Sequence, residues 1–284
     1  MVTTDKLVFF PDAPGDEDHS KIVLVPVPYD GTSTWGKGAD KGPGVIMEAS
    51  EHLEGYDIET GTEVYREGIF TDRPVAGYSR PEDMVEAVRT AVGRWLDRDR
   101  FVGVIGGEHS VSIGAVAAHA DRFPDLTVLQ LDAHSDLRDT YKGSGYNHAC
   151  VMARVREICR AVQVGIRSMD ITEKQRYGIM DIFFADAICR SSGWIDEVVQ
   201  RLGPRVYVTI DVDVFDSSIM PATGTPEPGG LLWYDVMDLL RKVCRSRQIV
   251  GFDVVELCPN PTLHAPDFLA AKLIYKLLSY HFAR

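Results

Sequence analysis

Three potential metal ligands, Asp132, His134 and Asp136, close the segment LTVLQLDAHSD at residues 126–136. The apolar, β-branched run before them reads as a buried parallel strand. Alternation along an extended chain predicts that the three side chains share one face. Ionisable groups gathered at one strand end are costly to desolvate without a partner, and a cation is a partner that suits them. Two further stretches carry related chemistry. After an apolar run at 101–105 come Gly106, Gly107, Glu108, His109 and Ser110, where the glycine pair permits a sharp turn and close backbone approach. After the run at 205–210 comes DVDVFD, whose Asp211 and Asp213 are expected on one face of an extended segment. Taken singly, each has a bland reading as a capped turn or a structural histidine.

Taken together, two histidines and four aspartates at the C-terminal ends of three strands point to metal. A nitrogen and oxygen ligand set without cysteine suits a borderline-hard divalent ion, Mn²⁺ first, with Fe, Co, Ni and Zn behind it. Six candidate ligands exceed the needs of one ion. They suit two ions about 4 Å apart, a spacing that holds a bridging hydroxide as nucleophile.

The elements that must position these residues follow from periodicity. Seven apolar runs, at 21–27, 101–105, 126–131, 161–166, 179–184, 205–210 and 248–255, read as strands, and 69–75 is a weaker eighth. Between them lie amphipathic helices: 82–97 places Val85, Val88, Val92 and Trp95 on one stripe, and 234–245 does the same with Val236, Leu239, Leu240 and Val243. A helix at 192–202 is expected to start at Ser192 as N-cap, and another at 111–120 to start beside His109. A long amphipathic helix at 266–280 ends the chain. Strand–helix alternation predicts an α/β fold of three α/β/α layers, with a mainly parallel sheet of about eight strands. No repeat or composition shift marks a boundary, so residues 1–284 are read as one domain. The Gly/Pro-rich segments 36–44 and 221–230 are expected as ordered loops on the C-terminal edge of the sheet, where open α/β sheets bind their ligands.

Composition narrows the function classes. The 45% apolar and 25% charged residues describe a folded globular chain. A net charge of −12 disfavours nucleic acid and anionic membrane as partners. The N-terminus lacks the basic and apolar pattern of an export signal, and the five scattered cysteines form no CxxC pair. Free thiols in a reducing cytoplasm are the expected context.

The three motifs GGEHS, DAHSD and DVD, in order, spacing and strand context, resemble the signatures of the ureohydrolases, the arginase/agmatinase family. The likeness extends from PVPYDGTSTWGKGADKGPGVI (26–46) through TGTPEPGGL (223–231) to GFDVVELCP (251–259), nearly the whole chain. It implies an arginase-like fold, two Mn²⁺ ions per chain and a homo-oligomer, trimer or hexamer. It further implies that Asp132 and Asp211 bridge the ions, that His109 and Asp136 complete one site, and that His134 and Asp213 complete the other. Glu256 matches the guanidinium-binding glutamate and His148, in YNHAC, the mobile-loop histidine of proton transfer. The reaction implied is attack of the bridging hydroxide on a guanidinium carbon, followed by proton relay through Asp136 and release of an amine and urea. A single-zinc amidohydrolase of similar architecture is disfavoured by the duplicated aspartates.

Within the family, Arg138 occupies the place of the asparagine that begins the arginase set for an α-carboxylate. The segment DLRDTYKGSGYNHAC resembles the agmatinase branch, which implies agmatine as the small cationic guanidino substrate, giving putrescine and urea in polyamine biosynthesis. N1-aminopropylagmatine, giving spermidine, is the alternative, as are other guanidino acids or guanidine. Arg138 suits a cationic tail only if it pairs with a carboxylate such as Asp139 and points away, or is a surface arginine without a substrate role. His264 is a candidate for the far end of the substrate, and Cys150 and Cys258 for the pocket lining.

Overall fold

The computed structural model describes residues 8–283. Residues 1–7, which open the N-terminal stretch read above for export features, and residue 284 lie outside them. The apolar runs form β1 (Ile22–Val27), β2 (Ile69–Thr71), β3 (Phe101–Gly106), β4 (Leu126–Leu131), β5 (Arg160–Ile166), β6 (Ile182–Phe184), β7 (Arg205–Asp211) and β8 (Gln248–Val255). They pair in parallel throughout, in the order β2-β1-β3-β8-β7-β4-β5-β6. The helices are α1 (Gly42–Ser50), α2 (Pro81–Leu96), α3 (Val111–Arg122), α4 (Val151–Ile158), α5 (Ile171–Tyr177), α6 (Ala185–Ile188), α7 (Trp194–Arg201), α8 (Trp233–Ser246) and α9 (Ala265–Phe282).

Period-2 alternation along β1 makes the layers. Ile22 and Leu24 enter one core with α1, α7, α8 and α9, whereas Val23, Val25 and Val27 enter a second with α2, α3 and α4. Both faces of the sheet are therefore covered, as the near-continuous apolar strands require. The stripe Val85, Val88, Val92 and Trp95 of α2 is buried, as is Val236, Leu239, Leu240 and Val243 of α8. No helix of the described residues is long and apolar enough to cross a membrane.

The chain departs from expectation at several boundaries. Ser192 is not an N-cap: α7 begins after Gly193, and no side chain caps it. Strand β6 is confined to Ile182–Phe184, because residues 179–181 belong to the turn before it. The loop expected at 36–44 is a 3₁₀ turn at Ala39–Lys41 and α-helical from Gly42 onward, with Pro43 in the first turn where its missing N–H is harmless. Its remaining part does meet the second Gly/Pro-rich loop, since Gly36 N donates to the Gly224 carbonyl at 3.1 Å.

The turn after β3 shows why a glycine pair stands there. Gly107 N donates to Val27 O and Glu108 N to Tyr29 O, both at 2.8 Å, which lays the turn directly on the chain leaving β1. A Cβ on Gly107 would stand 2.0 Å from the Tyr29 carbonyl oxygen, a backbone atom that cannot swing away. Gly107→Ala is therefore expected to destabilise the protein by about 1–3 kcal/mol, read as a lower urea midpoint at unchanged m-value. An unaltered midpoint would contradict this packing.

Candidate metal centre

Strands β3, β8, β7 and β4 lie side by side in the middle of the sheet, although β3 and β4 are consecutive in the chain. The order reverses there, and the crevice beyond the strands' C-terminal ends is where such sheets place ligands. Each of these strands delivers part of one cluster. His109 follows β3, Asp132 follows β4, Asp211 ends β7 and Glu256 follows β8.

His109 Nδ1 lies 3.1 Å from Asp132 Oδ2, 3.1 Å from Asp136 Oδ2 and 3.4 Å from Asp211 Oδ2. His134 Nδ1 lies 2.8 Å from Asp213 Oδ2 and 3.7 Å from Asp132 Oδ1. Two groups that can each hold a metal ion result, His109–Asp132–Asp211 and Asp132–His134–Asp213, with Asp132 in both. All six residues singled out from the sequence thus converge, but by a different local route. Extended backbone does not persist to Asp136, whose φ is +52°, and that left-handed turn aims its carboxylate at His109 rather than along one strand face. Asp213 likewise sits in a 3₁₀ turn at Val212–Val214, and Asp211 Oδ1 accepts its N–H at 2.9 Å.

The donor set itself tests whether cations fit. His109 Nε2 lies 2.9 Å from Thr209 Oγ1, whose hydroxyl donates to Asp253 Oδ1 at 2.6 Å. Thr209 therefore accepts from Nε2–H, and in the neutral ring Nδ1 is a bare lone pair. That buried nitrogen has no hydrogen-bond partner, and it faces three carboxylates. A lone pair set against anionic oxygens is repulsive; a divalent cation between them turns every contact attractive. Protons are the only other relief. Burial and the Asp132 charge push Asp136 up to about 6, and burial with the Asp213 and Asp132 charges drives Asp211 well above the usual carboxylate range. The residues fit a pair of cations.

Glu256 borders the cluster. Its φ of +66° is strained for a residue with a side chain, and two contacts hold it: its N–H donates to Gly107 O at 2.7 Å, and its Oε1 accepts from His109 N at 2.8 Å. His148 Nδ1 stands 3.8 Å from the same Oε1, and its Nε2 lies 3.4 Å from Thr34 Oγ1. Burial lowers the His148 pKa to about 4, so the ring is neutral. Asn147 caps the short turn that begins at His148, and Thr32 Oγ1 accepts the His148 N–H at 2.9 Å.

The other expected residues do not join the ligand cluster, although Arg138 lines a hollow with His134 and Asp136. Arg138 pairs with Asp170 at 3.5 Å and covers the Tyr141 ring, whereas Asp139, its expected partner, binds Arg154 and Arg176 instead. His264 is exposed, pairs with Asp267 and lines a separate hollow with Lys41, His52 and Phe268. Cys150 is buried with its thiol on the Ser144 carbonyl, and Cys258 is half-buried. Several supporting residues escaped the sequence reading. Gln130, on β4, donates to Asp132 Oδ2 at 2.6 Å; Tyr207 joins Thr209 in bonding Asp253. Arg167 binds the Asp213 carbonyl at 2.6 Å and the Glu227 carbonyl at 2.9 Å. The available signal was polar residues at interior positions of apolar strands, which are buried only when partnered.

Comparison with known proteins agrees with this arrangement. The Arginase family matches residues 20–279, and the chain belongs to that family. It is therefore a ureohydrolase-type hydrolase that acts on guanidino C–N bonds. The chain is 37% identical to the N(1)-aminopropylagmatine ureohydrolase of Synechocystis sp. over 91% of its own length and 88% of the relative's. It is 32% identical to the agmatinase of Pyrococcus horikoshii, with 93% of each chain covered. Its fold superposes on the agmatine ureohydrolase of Thermoplasma volcanium with a TM-score of 0.88 at 30% identity, covering 96% of this chain and 94% of the other. The arginase-like α/β fold expected from the sequence is thus the observed one.

The Thr209 contact gives a direct test. Thr209→Val removes the acceptor that orients His109 and is expected to weaken metal binding about 10–100-fold, measured by titration of the metal-free protein. Thr209→Ser, which keeps the hydroxyl, is expected to restore affinity; equal affinity in Thr209→Val and wild type would contradict the assigned ring orientation.

Proposed function

We propose that the chain hydrolyses the guanidino group of agmatine, releasing putrescine and urea, with two Mn²⁺ ions as cofactor. In this reading Asp132 and Asp211 serve both ions, His109 and Asp136 complete one site, and His134 and Asp213 complete the other. When bound, such a cation pair supplies a strong water-derived nucleophile at neutral pH and stabilises developing negative charge. The carrying observation is the Glu256 contact: one peptide N–H, that of His109, ties the guanidinium carboxylate to the ligand cluster at 2.8 Å. With Oε1 so held, a planar guanidinium pairs with the remaining carboxylate face and its carbon is turned toward the ligands. His148, neutral and beside Glu256, is assigned to proton exchange with the leaving amine, and Asp136 to proton relay inside the cluster.

N1-aminopropylagmatine, giving spermidine and urea, is a second reading, supported by the name and 37% identity of the Synechocystis relative. Both compounds present the same guanidinium and end in an ammonium. Urea release should be measured with added Mn²⁺ on agmatine, N1-aminopropylagmatine, arginine and 4-guanidinobutyrate. The expected result is turnover of one or both of the first two and little of the others. Urea from none of them would defeat the reading. Glu256→Gln is expected to lower kcat/KM by about 10²-fold or more, with manganese content retained.

A further inference from the structure

The ligand cluster is closed on most sides. Side-chain exposure is 1% for His109, 0% for Asp132 and 2% for Asp213, but 24% for His134, so the cluster opens at its His134 end. At that opening stands Glu227, whose Oε1 lies 3.9 Å from His134 Nε2 and whose side chain is 38% exposed. Of the carboxylates within 4.0 Å of His109, His134 or His148, it is the one assigned neither to metal nor to the guanidinium.

Other charges near the opening are already answered. Lys37 binds Asp30 at 3.1 Å, and Arg138, which shares a hollow with His134 and Asp136, is paired with Asp170. Among the described residues no lysine or arginine nitrogen comes within ion-pairing distance of the Glu227 carboxylate, since Arg167 bonds its backbone carbonyl and not its side chain. The loop that carries it is also held still. Pro226 and Pro228 restrict the backbone on either side, Arg167 ties Glu227 O to Asp213 O, and Asp216 Oδ2 accepts the N–H groups of Gly229 and Gly230 at 2.9 and 3.0 Å. A half-exposed, preorganised anion whose one ion-pairing neighbour is the His134 ring at 3.9 Å, with no lysine or arginine in reach, is suited to a mobile cation arriving from solvent.

We propose that Glu227 receives the distal ammonium of the substrate's tail and thereby selects amino-tailed guanidines over neutral or carboxylate-tailed ones. The proposal rests on the hydrolytic reading above and names which part of the substrate meets which residue. The Arg138–Asp170 pair contributes no net charge, and the Glu173 carboxylate in the same hollow is taken up by the Ser135 hydroxyl and the Leu137 and Asp170 N–H groups.

The test compares agmatine with n-butylguanidine, which has the same guanidinium and chain but no ammonium. In Glu227→Gln the ratio of their kcat/KM values is expected to fall on the order of tenfold. The fall should come through a higher KM for agmatine, with two manganese ions per chain still found by elemental analysis. Glu227→Asp, which keeps the charge, is expected to recover part of the ratio. An unchanged ratio would overturn the proposal. So would an equal loss with both substrates accompanied by loss of manganese, which would mean that Glu227 acts through His134. A wild-type enzyme that turns over n-butylguanidine as well as agmatine would sink the Glu227 role while leaving the hydrolytic reading intact. Absence of urea from every guanidine would sink both.

Discussion

The structure depends on one electrostatic constraint: four aspartates and two imidazoles share a site from which water is largely excluded. Two like charges about 4 Å apart repel by roughly 4 kcal/mol at an effective dielectric of 20. Several such pairs meet around His109, and the hydroxyl of Thr209 fixes the ring so that its free nitrogen faces them. The protein's own groups discharge it only by taking up protons, on His109, Asp136 and Asp211, and do not do so with all four carboxylates ionised. Divalent cations do, which makes the fold and the cofactor parts of one design. The buried Thr209–Asp253–Tyr207 chain beneath the cluster costs desolvation of its own, and its function is to orient His109.

Sheet topology explains why these residues meet. The reversal between β3 and β4, filled by β8 and β7, brings four strand ends into one crevice. Residues separated by as much as 147 positions, His109 and Glu256, then touch through a single hydrogen bond. The loops above have to leave the crevice accessible on one side. Exposure of His134 and the pinned Glu227 loop mark that side, and Glu256 with His148 is where the proposed function puts the guanidinium.

Much of this was legible in the sequence because two independent periodicities agreed with it. Buried parallel strands read as continuous apolar runs, and the helices α2 and α8 read as stripes, so the layers and the strand-end motifs followed. Local conformation did not follow. Beside the turn at Asp136 the Leu137 N–H donates to Glu173 Oε1, and in the 3₁₀ turn the Asp213 N–H donates to Asp211 Oδ1, bonds that alternation along a strand cannot encode. Pair identities were harder still: Arg138 chose Asp170 over the adjacent Asp139 because the fold, not chain proximity, decides which carboxylate is in reach. Glu227 gave no signal beyond a proline-flanked loop, since its meaning lies in its distance from His134.

The central claim, that the cluster exists to hold two cations, is tested most directly by anomalous diffraction from crystals grown with manganese. The account predicts two anomalous peaks per chain: one among His109, Asp132, Asp136 and Asp211, the other among Asp132, Asp211, His134 and Asp213. A single peak at full occupancy, or manganese bound elsewhere with these side chains hydrogen-bonded to one another, would contradict it.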